Sequence, residues 1–197
     1  ATALIGVPYF RPRVVGRDHV LGNRPFIVAC NHRTLLDWAA IAHFIPRPVR
    51  FLMTRAYYDR PALRWFCRLG GAIPIAPGRI EPSALRTALA ALRAGEIVGI
   101  FPEGRLGTDG ARGAVHRGVS RLATLASVPV VPATIRGAAR AFPADAWVPR
   151  PFRVTVAFGR PITPPRADAD RERQTKFTHD LMRAIQSLSE REVEKRV

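Results

Sequence analysis

A histidine and an aspartate lie five residues apart where an apolar run changes into a helix-like pattern. His32 follows residues 25–30, which read as a buried strand, and Asp37 lies among the apolar residues of the next helix. Histidine suits general base catalysis because its ordinary pKa lies nearest to neutral pH. A carboxylate on its other ring nitrogen would hold the required tautomer. We therefore interpret His32 and Asp37 as a catalytic dyad that takes a proton from a substrate.

The spacing of the two residues limits where the histidine can lie. Side chains five residues apart are separated by about 140° around a helix of roughly 3.6 residues per turn. The pair can meet only if His32 precedes the helix and folds back over its first turn, with Thr34 at the cap position. The same residues also resemble a capping box, in which Asp37 serves the helix end alone. The spacing leaves both interpretations open.

A second polar stretch follows another apolar run. Residues 97–101 read as a buried strand, and the loop at 102–113 is rich in glycine and arginine. Glycines such as Gly104 let the backbone approach a ligand closely. A functional interpretation is a phosphate cradle, in which Arg105 binds the anion while Glu103 holds the arginines or a substrate hydroxyl. The plainer interpretation is a solvated loop with a surface ion pair, which would contribute little stability.

The elements around these stretches alternate between strands and helices. Strands are predicted at about residues 11–17, 25–30, 49–53, 72–75, 97–101, 129–135 and 152–158. Helices are predicted from about residue 34 to 45 and at 61–69, 82–93 and 114–126, and residues 138–151 are predicted to form a loop. This order predicts a single layered α/β domain with a mostly parallel sheet flanked by helices. Sites in such sheets lie at the carboxyl ends of strands, where both polar stretches fall.

The last part of the chain has a different character. Residues 1–166 are expected to form the main domain, and residues 167–197 are highly charged. This tail nevertheless carries Phe177, Leu181 and Ile185 at helical spacing. We predict a C-terminal amphipathic helix packed on the same domain; a helix lying on a membrane surface is the alternative.

Composition and charge restrict the classes of partner. The 197 residues carry a net charge of +16, nearly all of it from arginine, which favours anionic partners. The chain begins without a basic signal region, and no apolar run reaches the roughly 18 residues of a membrane span, so we expect no bilayer crossing. Cys30 and Cys67 fit reduced thiols. No cluster has metal-ligand spacing, so no metal is expected.

Together, the two polar stretches resemble the signatures of the glycerolipid acyltransferase family, which includes bacterial 1-acylglycerol-3-phosphate acyltransferases. The family's first signature, Asn-His, four residues and Asp, matches residues 31–37. Its third, Phe-Pro-Glu-Gly, matches residues 101–104, and its fourth, Val-Pro-x-x-Ile, matches residues 131–135. Order and spacing agree over roughly residues 12–160. The resemblance implies that His32 and Asp37 are catalytic.

The resemblance weakens at the arginines that bind the acceptor's phosphate in this family. The second signature normally ends in arginine, but here Ala76 follows the apolar strand, and Arg79 lies further along. In the third signature, arginine and leucine stand where Thr or Ser and Arg are usual. We expect Arg79 and Arg105 to replace the displaced arginines. The expected substrate-binding residues are therefore Asn31, Arg79, Glu103, Gly104 and Arg105.

The resemblance also implies an activity. An acyl group would pass from acyl-CoA or an acyl carrier protein to the free hydroxyl of a lysophospholipid, most readily 1-acylglycerol-3-phosphate, in phospholipid synthesis. The hydroxyl would attack the thioester directly, with no protein nucleophile and no cofactor beyond this co-substrate. A headgroup as large as that of 2-acylglycerophosphoethanolamine is an alternative, because the Phe-Pro-Glu-Gly-Arg variant resembles those enzymes. The implied location is the cytoplasmic face of the cell membrane, where the chain would bind an anionic surface peripherally.

Two other classes of function compete with this interpretation. A thioesterase could use Cys30 and His32, which lie two residues apart at a strand end. However, a cysteine in a buried apolar strand is usually a small core residue. A nucleic-acid-binding protein would explain the charge, but the arginines are dispersed and form no recognisable module. We therefore expect no nucleic acid partner.

Overall fold

The computed structural model describes residues 12–34, 37–77, 79–103, 114–141 and 150–194. Within them the strands are β1 (Arg13–Val15), β2 (Ile27–Cys30), β3 (Val49–Thr54), β4 (Ile73–Ile75), β5 (Ile97–Ile100), β6 (Val130–Arg136) and β7 (Thr155–Phe158). The helices are α1 (Asp37–Phe44), α2 (Arg55–Tyr58), α3 (Pro61–Leu69), α4 (Pro82–Arg93), α5 (Ala114–Ala126), α6 (Ala138–Ala141) and α7 (Arg171–Glu194), with a 3-10 helix at Arg17–Val20. Strands and helices alternate, as the sequence predicts.

The strands form one sheet with β2 near its centre. The strand order is β1-β7-β6-β2-β5-β3-β4, and only the β6–β7 pair is antiparallel. The carboxyl ends of β2, β3, β4, β5 and β6 therefore share one edge, and β7 begins at that same edge. The predicted mostly parallel α/β fold with a C-terminal helix is confirmed.

Each face of the sheet packs against its own set of helices. Side chains of β2 alternate between the faces: Ile27 and Ala29 pack with α4, α5 and α7, whereas Val28 and Cys30 pack with α1 and α6. This alternation is the ordinary period of a strand buried on both sides. As a result, the helix after β2 and the helix after β5 lie on opposite faces. In open α/β sheets, ligand crevices form between the ends of two strands arranged in this way.

Helix α7 uses its apolar stripe for packing. Phe177, Leu181 and Ile185 are buried in the core between α7, α5 and the sheet. These are the side chains that would otherwise be available to a membrane surface. The boundary at residue 166 stays a prediction.

Two short helices differ from the sequence-based expectations. The prediction of a loop over residues 138–151 is wrong for α6, where Ala138 and Ala141 are buried against the sheet; residues 142–149 lie outside the described part. Helix α2 begins directly after β3. Its single turn is closed by the backbone N–H of Asp59, which bonds the carbonyl of Arg55 at 2.9 Å. A single turn is too short to leave a clear apolar period in the sequence.

Candidate active site

The dyad that the sequence predicts is assembled at the carboxyl end of β2. His32 lies in the turn after the strand, and Asp37 is the first residue of α1. The ring folds back over the helix start, so that its Nδ1 lies 3.0 Å from Oδ2 of Asp37. This is the arrangement that the spacing requires. The catalytic role of the pair stays a prediction.

The carboxylate of Asp37 also closes the turn. Its Oδ2 accepts the backbone N–H of Arg33 at 2.5 Å and that of Thr34 at 2.8 Å. Its Oδ1 accepts the hydroxyl of Thr34 at 2.8 Å, and the side chain is fully buried. Capping and dyad are therefore not alternatives, because one carboxylate does both. The donors around it fix the orientation in which Asp37 meets His32.

Aromatic rings hold the other side of the histidine. The His32 ring stacks on Phe101, with centroids 4.1 Å apart and an angle of 15° between the planes. Phe101 in turn lies against Phe51, at 5.7 Å and 18°. Phe51 has room only because residue 99 is glycine; a Cβ at Gly99 would overlap its ring. This stack holds the plane of the imidazole.

Glu103 joins the dyad across the crevice between β2 and β5. Its Oε2 accepts the backbone N–H of His32 at 3.4 Å, so the strand ends are linked at the predicted site. The two polar stretches of the sequence, 71 residues apart at this contact, thus meet at one edge of the sheet. Substrate binding by Glu103 stays a prediction.

Asn31 binds the neighbouring strand. Its Oδ1 accepts the backbone N–H of Ile135 at 2.8 Å and the hydroxyl of Thr134 at 3.3 Å, while its Nδ2 donates to the carbonyl of Ile135 at 3.3 Å. The side chain is buried, and these contacts extend the β2–β6 pairing by one residue. Asn31 therefore positions the turn that carries His32. Its expected contact with substrate stays a prediction.

Replacing Asn31 should cost stability. We expect Asn31→Ala to lower the free energy of unfolding by about 1–3 kcal/mol, because the N–H of Ile135 would stay buried without its acceptor. Urea unfolding followed by circular dichroism measures this change. Asn23→Ala, at an exposed position, is the matched control and should stay within about 0.5 kcal/mol. Equal stability of both variants would show that the Asn31 contacts contribute nothing.

Of the remaining predicted ligands, Arg79 is not brought to the dyad. Arg79 is exposed in a turn after β4, closed by its N–H to the carbonyl of Ala76 at 3.3 Å. Between β2 and β4 lie β5 and β3, so this turn is about 14 Å from β2 by ordinary strand spacing. Gly104 and Arg105 lie outside the described residues. Substrate binding by all three stays a prediction.

Cys30 is a poor candidate for a nucleophile. Its thiol is fully buried and directed at Oδ1 of Asn31, 3.3 Å away. Burial raises the pKa of the Cys30 thiol well above its ordinary value, and the nearby carboxylates of Asp37 and Glu103 raise it further. Because the thiolate is the reactive form, this environment suppresses the chemistry that a Cys30-dependent thioesterase needs.

The side chains that meet at this site are suited to proton transfer. In the part of the chain that the structure describes, no three His, Cys, Asp or Glu residues are grouped so as to hold a metal ion. In a neutral imidazole, a carboxylate partner at Nδ1 favours the tautomer in which Nδ1 carries the proton and Nε2 keeps its lone pair. The His32 side chain is 17% exposed, which leaves the ring accessible to a substrate in the crevice. Sequence reasoning missed the ring stack under His32, although Phe101 begins the third signature.

Comparison with known proteins agrees with this geometry. The family described as Acyltransferase matches residues 11–136, which is more than half of the chain. A 1-acyl-sn-glycerol-3-phosphate acyltransferase of Chlamydomonas reinhardtii is 27% identical over 83% of this chain and 50% of its own length. The Bacillus subtilis enzyme of the same name is 25% identical over 64% of this chain and 62% of its own. The chain thus spans about half to three-fifths of these relatives.

A solved structure shares the fold. The crystal structure of the 1-acyl-sn-glycerophosphate (LPA) acyltransferase PlsC from Thermotoga maritima superposes with a TM-score of 0.70 at 25% identity. The match covers 90% of this chain and 72% of that one. The resemblance found in the signatures is therefore confirmed over most of the fold, and this chain belongs to the Acyltransferase family.

Proposed function

We propose that the chain transfers an acyl group from a thioester to the free hydroxyl of a lysophospholipid, with 1-acylglycerol-3-phosphate as the preferred acceptor. The contact between Nδ1 of His32 and Asp37, at the carboxyl end of β2 and beside that of β5, carries this proposal. It supplies an oriented base, and the neighbouring thiol of Cys30 is buried and so is a poor nucleophile. The names of the relatives support the choice of acceptor.

The proposed reaction needs one proton relay. Nε2 of His32 takes the proton of the acceptor hydroxyl while its oxygen attacks the thioester carbonyl carbon. The buried carboxylate of Asp37 stabilises the imidazolium that forms. When the tetrahedral intermediate collapses, the carbon–sulfur bond breaks and the imidazolium returns the proton to the leaving thiolate. An ester and a free thiol result, and the dyad is restored.

The acceptor's phosphate must lie near the dyad. In 1-acylglycerol-3-phosphate, the phosphate is attached to the carbon next to the one that bears the reacting hydroxyl. Arg105 is our first choice for its ligand, since it follows Glu103 by two residues. Arg79 would need the turn after β4 to approach β2. A larger headgroup, as in 2-acylglycerophosphoethanolamine, is the alternative acceptor. The site would accommodate this larger headgroup if Arg79 and Arg105 are not close together.

A thiol-release assay with a panel of acceptors tests this function. Acyl-CoA and acyl carrier protein thioesters would each be offered with lysophosphatidate, 2-acylglycerophosphoethanolamine or no acceptor, and products identified by mass spectrometry. We expect thiol release coupled to a diacyl product, highest with lysophosphatidate. Release of free fatty acid at the same rate without acceptor would indicate a hydrolase. No release with either donor would contradict the proposed function.

We further propose that the chain reaches its lipid as a peripheral protein. Among the described helices, none is both long and apolar enough to cross a bilayer. Helix α3 instead presents two large apolar side chains to solvent, Trp65 at 64% exposure and Leu69 at 79%. Exposed arginines at positions 60, 64 and 68 accompany them. Tryptophan beside arginine suits the interface of an anionic membrane, where each cation contributes about 1 kcal/mol.

Removing the apolar pair should weaken membrane binding. We expect the double variant Trp65→Ser, Leu69→Ser to lose about tenfold or more of its partition onto vesicles of phosphatidylglycerol and phosphatidylcholine, since each side chain contributes up to about 1.5–3 kcal/mol when buried. Vesicle sedimentation measures this. The matched control is Leu21→Ser, Leu125→Ser, at exposures of 48% and 44% elsewhere on the surface. Equal partition of both variants would show that α3 is not the docking surface.

A further inference from the structure

Three neighbouring strands each contribute one ring to a stack at the dyad. His32 follows β2, Phe101 comes directly after β5, and Phe51 lies on β3. The strands stand in the order β2-β5-β3, and the ring centroids follow that order at 4.1 Å and then 5.7 Å. The planes differ by 15° and 18°, so the three rings are nearly parallel. We call these three side chains the ring stack.

The register of the strands explains how the rings meet. Side chains alternate between the faces of a strand, so Phe101 lies on the same face as Gly99, two residues before it. Gly99 is the residue of β5 that pairs with Phe51 of β3. A Cβ at Gly99 would overlap the ring of Phe51. The missing side chain therefore leaves the space in which that ring lies over β5, next to Phe101.

Burial separates the three rings by their access to a substrate. The side chain of His32 is 17% exposed, and Phe101 is half-buried. Phe51 is only 4% exposed and belongs to the core on the α1 face of the sheet. A substrate can reach the histidine but not Phe51. Any effect of Phe51 on the reaction must therefore pass through Phe101 or through the fold.

The contact with Asp37 holds one atom of the imidazole but leaves its plane free. Nδ1 of His32 lies 3.0 Å from Oδ2 of Asp37. The torsion that turns a histidine ring about its Cβ–Cγ bond is broad, so the ring can rock about this contact. Nε2 lies away from the contact and would be displaced. Its lone pair lies in the ring plane, and proton transfer requires the substrate hydroxyl to meet that lone pair in line.

The ring stack also suits the charge that the proposed reaction creates. The imidazole becomes a cation when it takes the proton, and the face of an aromatic ring attracts a cation through its quadrupole. Phe101 lies against the face of His32, while Asp37 contacts its edge. The imidazolium would therefore be stabilised from two directions, by a carboxylate in its plane and by an aromatic ring beside it.

We propose that Phe101 and Phe51 are positioning residues for acyl transfer: Phe101 holds the plane of His32, and Phe51 holds Phe101. This inference rests on the proposed function, because it concerns the base of that reaction. Neither phenylalanine is required to touch a substrate. Loss of either ring should therefore lower kcat and leave KM for both substrates nearly unchanged.

A pair of leucine variants separates positioning from packing. Leucine keeps an apolar side chain but has no flat ring. Phe51→Leu is compared with Phe177→Leu, whose side chain is 5% exposed in the core on the opposite face of the sheet. Urea unfolding should show similar losses of stability, because each variant deletes part of a buried ring. In thiol release with lysophosphatidate, we expect kcat to fall about tenfold in Phe51→Leu and to stay at the wild-type value in Phe177→Leu.

Variants of Phe101 test the direct contact. Phe101 is half-buried, so these variants should fold even if Phe51→Leu does not. We expect Phe101→Leu to lower kcat by about 10–100-fold, because a small displacement of Nε2 is costly in proton transfer. Phe101→Tyr keeps the ring and should restore most of kcat. In the His32→Ala background Phe101→Leu should have no further effect, because effects that act through one group are not additive.

Nuclear magnetic resonance provides a readout that needs no substrate. Protons held over the face of an aromatic ring resonate upfield of their ordinary positions. The ring-proton signals of His32, identified by their absence from His32→Ala, should therefore move downfield in Phe101→Leu. In Phe101→Tyr they should stay near the wild-type position.

Several results would overturn the inference. Wild-type kcat in folded Phe101→Leu would show that the stack does not position the base, and unchanged His32 signals in that variant would show that the rings are not stacked. Equal losses of kcat in Phe51→Leu and Phe177→Leu would indicate a general loosening of the domain. A higher KM with unchanged kcat would make Phe101 a substrate contact. Inactivity of the wild type with every donor and acceptor would instead contradict the proposed function.

Discussion

His32→Ala is expected to lose acyl transfer while keeping its fold. The ring supplies the base, and a positioned base typically contributes about 10²–10⁴-fold to the rate. We therefore expect kcat to fall by about that factor in a thiol-release assay with lysophosphatidate. The fold should survive because Asp37 would still accept three hydrogen bonds from the turn. These come from the N–H groups of Arg33 and Thr34 and from the hydroxyl of Thr34.

A second histidine in the same region provides the control. His43 lies on α1, is exposed, and contacts the edge of Phe44. His43→Ala makes the same chemical change without touching Asp37, and it should keep wild-type kcat. Circular dichroism and urea unfolding should show native folds in both variants. A folded His32→Ala protein with wild-type kcat would end the assignment of the base.

Asp37→Asn should reduce activity and stability together. The carboxylate accepts from His32, from two backbone N–H groups and from the hydroxyl of Thr34. A neutral amide oxygen accepts these hydrogen bonds more weakly than a charged carboxylate does, so we expect the free energy of unfolding to fall by about 1–3 kcal/mol. The neutral amide would also leave the imidazolium that forms during the reaction without a countercharge, and the corresponding change in serine protease triads costs about 10⁴-fold. We expect kcat to fall by about 10³–10⁴-fold.

The double effect distinguishes Asp37 from His32. Urea unfolding and thiol release, measured on one preparation, should show both losses for Asp37→Asn but only the second for His32→Ala. Asp18→Asn, at a position exposed on the 3-10 helix, controls for the loss of a negative charge. Loss of stability with normal kcat would show that Asp37 serves the helix end alone.

The elements that depend on local signals could be predicted from the sequence. Helices α3 and α4 lie at the predicted residues, because proline stands at each start and glycine soon follows each end. The meeting of His32 with Asp37 also follows from local geometry, since residues five apart can touch only across a helix start. Spacing alone could not show that Asp37 serves cap and dyad at once. That required the positions of the donors around it.

Contacts between distant strands could not be predicted. Gly99, Phe51 and Phe101 build the stack under His32 only because β5 lies between β2 and β3 in the sheet. Strand β7 runs antiparallel to β6, which brings Arg153 close to the edge where Arg136 ends its strand. In the sequence these arginines looked dispersed. Pairing order arises from packing over the whole domain, for which a single sequence contains no local signal.

Direct transfer to the lipid hydroxyl is tested most directly by a single-turnover experiment. The enzyme, in excess over acyl-CoA, is mixed rapidly with and without lysophosphatidate, and both free thiol and the mass of the intact protein are followed. We predict that thiol appears only with the acceptor present, that a diacyl product forms at the same rate, and that the protein keeps its mass. A burst of thiol without acceptor, accompanied by an acyl adduct on the protein, would contradict the account.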